Sequence, residues 1–133
     1  VNKISILPVC AALFLAACVS DGGSGTITHV THSLNDAERA IVQTTLALKL
    51  NTTGVQLQGL RATEQLSSGA KTVCGYVSGI TPAGTRSNPA VFGGQFSTAD
   101  NSIFILFGGP GAGADAQRTA TVKAICAANE INI

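Results

Sequence analysis

Thr72-Val73-Cys74-Gly75-Tyr76-Val77-Ser78-Gly79-Ile80 sets Val73, Tyr76, Val77 and Ile80 around Cys74, with small residues between them. β-Branched and aromatic side chains suit a pleated, half-buried surface, so this run predicts a strand. On its carboxyl side, Pro82 to Pro89 reads as a loop, because proline fixes φ and removes a ladder donor. Ala90-Val91-Phe92 and Gln95-Phe96 predict another strand, kinked or bulged at Gly93-Gly94. Thr98 to Ser102 reads as a turn. Ile103-Phe104-Ile105-Leu106-Phe107 is the most apolar segment beyond residue 18, and a continuous apolar run of this length predicts a central strand.

On the amino side, Val55, Leu57 and Leu60 begin an alternating run that predicts a strand. A helix precedes it. Ser33 is the expected cap, and Asp36 and Glu38 sit where a helix amino end favours acids. Ile41, Thr45 and Leu48 share a face that Val42 and Leu46 widen. Asn51 to Gly54 ends it; Asn51-Thr52-Thr53 has the form of a glycosylation sequon but reads as helix-stop chemistry. At the other end, Gly108 to Ala114 is a glycine-rich connection. Asp115 is then expected to cap a last helix with Thr119, Val122 and Cys126 on one side and Ile125 close by. The order is helix, four strands, helix. Short connections favour a small α+β domain over residues 33–133, an antiparallel meander with both helices over one face.

The amino end carries a different signal. Lys3 is followed by an apolar stretch from Ile4 to Leu15, and small residues precede Cys18. As a helix, that stretch would reach about 18 Å against a hydrocarbon core of roughly 30 Å, too short to span. Leu15-Ala16-Ala17-Cys18 resembles the lipobox of bacterial lipoproteins. The resemblance implies that residues 1–17 are a signal peptide, removed before a diacylglyceryl-modified Cys18 whose new amine is acylated. Several acyl chains make anchoring effectively permanent. In that class an Asp directly after the lipidated Cys favours inner-membrane retention. Val19 stands there instead, so the implied address is the outer membrane, facing the periplasm. Val1, in a chain without Met, points to an alternative start codon. Residues 18–32 then form the lipidated Cys and a flexible tether, since Ser20 to Thr31 is rich in Gly, Ser and Thr without apolar period.

Once Lys3 leaves with the signal, Lys and Arg balance Asp and Glu at seven each. A neutral chain has no long-range field to draw in nucleic acid. Five Phe, one Tyr and no Trp are thin equipment for stacking on bases or sugars. The cysteines reduce to Cys74 and Cys126, and a lone pair in an oxidising compartment predicts a structural disulfide.

Three motifs resemble chemistry without completing it. Gly108-Gly109-Pro110-Gly111-Ala112-Gly113-Ala114 looks like the phosphate loop of adenylate kinase-type proteins. Ala114 and Asp115 stand where the motif needs Lys and Ser or Thr, which places an acid at the anion site. Ser68-Gly69-Ala70-Lys71 matches the S-x-x-K of penicillin-binding proteins. It sits before a strand and lacks the partner motifs. His29 and His32 form H-x-x-H in the tether, where they read as solvated, with no third ligand spacing and no nucleophile elbow for a triad. Cys74-Gly75-Tyr76-Val77-Ser78-Gly79 with Phe92-Gly93-Gly94 resembles a C-G-x-V-x-G … F-G-G pattern of small, uncharacterised exported bacterial proteins, although Asn is common at the Ser78 position. That resemblance implies a leading helix, a short sheet and a cysteine near the carboxyl end.

The expected function is therefore a non-enzymatic envelope lipoprotein with no cofactor, metal or nucleic acid. It would be held to the membrane through Cys18 and would act through an envelope protein partner. Tyr76, Arg86, Phe92 and Phe96 are the candidate contacts, because aromatics and Arg anchor interfaces. The alternative is a periplasmic inhibitor, for instance of lysozyme, or a small-ligand module using the 81–89 or 108–114 loop.

Overall fold

A computed structural model describes residues 26–109 and 113–133. The expected signal peptide and lipidation site at Cys18, most of the expected tether and residues 110–112 lie outside the described residues. Along the described chain come β1 (His29–His32), α1 (Asp36–Leu50), β2 (Gln56–Gln65), β3 (Lys71–Ser78), β4 (Ala90–Phe96), β5 (Ile103–Phe107) and α2 (Ala114–Ala128). The strands form one antiparallel sheet in the order β1-β2-β3-β4-β5. The α+β class holds, with five strands in place of four. The extra strand, β1, comes from residues expected in the tether. It is short and polar, so its pairing with β2 (Val30 opposite Glu64, His32 opposite Ala62) defines it, where apolar periodicity does not.

β3 is the middle strand, and its composition explains why. Val73 and Val77 point to one face and Cys74 to the other, and all three are buried. The two faces carry different helices. Val42 and Leu46 of α1 join Val73, Val77, Phe92, Phe96 and Ile105 in the larger core. Val122 and Cys126 of α2 join Cys74 and Val91 in a smaller one. Both helices over one face was the expectation; instead they lie on opposite faces, because β3 and β4 are apolar on both sides. The disulfide joins Cys74 to Cys126, with Cα atoms 6.2 Å apart, and staples α2 to the sheet.

β5 also departs from its expected place. It is an edge strand, not a central one. Ile103, Ile105 and Phe107 serve the larger core, while Phe104 on the alternate face is 65% exposed. An apolar run shows that a strand can be buried on both faces, not that anything covers both.

The expected bulge at Gly93-Gly94 is absent: Gly93 pairs with Cys74 and Leu106, and Gly94 with Val73 and Ile105, in regular register. The register shift falls in β2, between Gln58 and Arg61, where Gly59 has φ +59°, a conformation only glycine adopts at no steric cost.

Both helix caps shift as well. Asn35, not Ser33, caps α1: its side chain accepts from Glu38 N at 2.8 Å while Glu38 Oε2 accepts from Asn35 N at 3.0 Å, a reciprocal capping box. Gly113 occupies the N-cap of α2 without a side-chain bond, and Asp115 lies inside the first turn, paired with Arg118.

Candidate functional site

Glu38 is the most deeply buried charge among the described residues, at 2% exposure. The capping box fixes its backbone, and α1 delivers its carboxylate over the sheet between β1 and β3. There Lys71 Nζ donates to Oε1 at 2.7 Å, and His32 Nε2 lies 2.9 Å from Oε2. An ionised carboxylate only accepts, so His32 is the donor. The other ring nitrogen of His32 faces Glu64 Oε2 at 3.5 Å. Burial raises the Glu38 pKa, but the bonds from Lys71, His32 and Asn35 outweigh it and hold the carboxyl at about 2, against an ordinary 4.5. Both carboxylate oxygens have partners, so the network is a closed lock that ties β1, α1 and β3 together. His32 is thus not a solvated tether residue as expected; β1 carries it into the lock, and His29 is half-buried beside β2.

The sequence-based contact residues separate in space. Phe92 and Phe96 are 0% and 3% exposed: both lie on the face of β4 under α1, so neither ring is at the surface to anchor a partner. Tyr76 is half-buried against the smaller core beneath α2. Arg86 is exposed, but Nη1 donates to Gly54 O at 3.0 Å and reaches Ser78 Oγ at 3.4 Å. That bond and the Ile80–Arg86 bridge pin the 81–89 loop to the start of β2. A groove of about 740 Å³ runs beside this loop, between α1 and Ile80–Pro82. Among the described residues no helix is long and apolar enough to cross a membrane.

The surface that sequence reasoning missed is the outer edge of β5, whose central residue Ile105 is itself 2% exposed. Ser97 N donates to Ser102 O at 2.7 Å and Gly108 N to Val91 O at 2.8 Å. Hydrogen-bonded positions alternate along an antiparallel ladder. With this register, Phe104 and Leu106 turn their N–H and C=O toward β4, whereas Ile103, Ile105 and Phe107 turn theirs away. Among the described residues those outward groups of Ile103, Ile105 and Phe107 make no hydrogen bond. Phe104 and Leu106 flank them at 65% and 37% exposure, and Lys49 Nζ stands 5.8 Å from the centre of the Phe104 ring. Edge strands are normally blunted by charge, proline or a bulge; Ile103-Phe104-Ile105-Leu106-Phe107 has none. That lack of a gatekeeper is the sequence signal that was available. No protein-family model, curated protein or solved structure matches this chain.

Proposed function

We propose that this chain is a lipid-anchored bacterial envelope protein that works through protein contacts and catalyses no reaction. In this reading Cys18 carries the lipid, the outer membrane is the address, and the domain faces the periplasm. The observation that carries the contact role is the pair of exposed apolar side chains, Phe104 and Leu106, on the outer strand β5. Exposed apolar side chains on an outer strand are a surface that a protein partner can cover.

The test is a photocrosslinking residue placed at Phe104 in intact cells, with an equal substitution at exposed Gln117 of α2 as the control. Capture of one dominant envelope protein, or of a second copy, from position 104 alone supports the reading. Equal background from both positions removes it. Cys18→Ser is expected to move the protein from the membrane fraction to the soluble fraction; unchanged membrane association would remove the lipid anchor. The groove between α1 and Ile80–Pro82 favours a second reading, an inhibitor or small-ligand module. Inhibition of lysozyme at micromolar protein, lost on substitutions in the 81–89 loop, would select it.

A further inference from the structure

We propose that the cavity between the end of β1 and the segment after α2 binds a small carboxylic acid, as its carboxylate, with an apolar body. The cavity encloses about 400 Å³, within the range of small-molecule sites. It shares no lining residue with the groove beside the 81–89 loop and is independent of the β5 contact surface.

The fold makes this cavity by ending β1 before β2. β1 stops at His32, opposite Ala62, and the chain turns into the α1 cap at Asn35. Leu60 and Arg61 of β2 therefore lie past the end of β1. After α2 the chain passes back over β2 and β3. There Thr63 Oγ1 donates to Asn129 O at 2.8 Å, and Thr72 Oγ1 to Asn129 Oδ1 at 3.1 Å. Those bonds hold the wall at Glu130 and Ile131 without a ligand, so binding has little left to order.

Two arginines set the chemistry. Of the four in the chain, Arg118 is paired with Asp115 and Arg86 donates to Gly54 O. Arg39 uses only Nε, on Leu34 O at 3.2 Å, which fixes its stem and leaves both terminal nitrogens free among the described residues. Arg61 makes no side-chain hydrogen bond or ion pair among the described residues. Both side chains are exposed, and both line this one cavity. A guanidinium offers two parallel donors that match a carboxylate. His32 also lines the cavity, but Glu38 and Glu64 engage its two ring nitrogens. Glu130 stands in the wall and forms an ion pair with neither arginine. Two guanidinium charges less one carboxylate leave a formal +1, which suits a monoanion. Leu34 and Ile131, at 8% and 2% exposure, and half-buried Leu60 give a hydrocarbon body its apolar wall.

The experiment titrates the full-length chain, purified in non-ionic detergent, with benzoate and with hexanoate, and follows its amide and arginine Nε–H NMR signals. At least one acid is expected to shift the signals of Leu60, Arg61, Ala62 and the Arg39 side chain saturably, whereas benzamide and hexanamide are not. Arg39→Gln and Arg61→Gln should each weaken binding about tenfold, as the loss of a charge-assisted hydrogen bond implies. Glu130→Gln should tighten it several-fold, a gain that misfolding cannot mimic. All three side chains are exposed, and unchanged dispersion of the other signals checks folding. No saturable shift with either acid, an equal response to the amides, or an affinity unaltered by either arginine substitution overturns the proposal. So does unchanged or weaker binding in Glu130→Gln. Capture by a probe at Phe104 is unaffected in every case.

Discussion

Glu38 shows how a single residue couples folding to pH. Its pKa falls from 4.5 to about 2, so the folded state favours the ionised form. A depressed acid contributes stability that is fully present above pH 4.5 and is lost as the pH falls through about 2, because the unfolded chain takes up the proton first. The shift corresponds to roughly 3 kcal/mol. Urea unfolding of the wild type should lose about that much between neutral pH and pH 2, and Glu38→Gln should lose little over the same range while starting lower. Equal pH slopes for the two proteins would show that Glu38 is not the coupled group. Gly93 is a second such residue. A Cβ there would lie 3.2 Å from Cys126 Sγ and 3.3 Å from Val122 Cγ1, so α2 would have to yield. Gly93→Ala is expected to cost about 1–3 kcal/mol, measured by thermal unfolding. Of the glycine pair that reads as a bulge, Gly93 admits α2, whereas a Cβ at Gly94 would press on Ile103 and Ile105 of β5.

At the scale of elements, α1 and α2 are held by different means. α1 has a capping box, the Glu38 lock and the larger apolar core. α2 has no side-chain cap and buries only Val122 and Cys126. Its attachment therefore depends on the disulfide, which spans 52 residues of sequence. Closing a loop of that length is worth about 4 kcal/mol in the chain-entropy treatment. In Cys74→Ala/Cys126→Ala, amide exchange should rise steeply across α2 and remain slow in α1 and β3. Uniform acceleration everywhere would mean that the sheet and α2 unfold as one unit. The 81–89 loop is a smaller case. Arg86→Ala removes the bond to Gly54 O, and limited proteolysis should then nick the loop several-fold faster.

For the whole molecule, the sheet's two edges are unlike. β1 is short and polar and is fastened through His32 to Glu38 and Glu64. β5 is wholly apolar, and the one cation beside it among the described residues is Lys49 of α1, over the Phe104 ring. Exposed apolar side chains on an outer strand, here Phe104 and Leu106, are an aggregation hazard unless something covers them. Phe104→Lys/Leu106→Lys should therefore raise the protein concentration at which precipitation begins in detergent-free buffer. An unchanged or lower solubility limit would show that the edge is not the sticking surface.

Much of the fold was legible locally. Strand-forming runs at Thr72–Ile80, Ala90–Phe96 and Ile103–Phe107, the 3.6-residue period from Ile41 to Leu48, and the pair of cysteines each carry their own signal, because backbone propensity, alternation and redox chemistry act over short stretches. The contact surface was not legible in the same way. Phe92 and Phe104 are both aromatic strand residues, yet one is sealed under α1 and the other is open. The sequence by itself determined the class, the principal strands and the cysteine pair. Tertiary structure alone decided that β1 joins the sheet, that the helices take opposite faces and that β5 is an edge, because burial depends on what packs across a face and no residue encodes its distant neighbour.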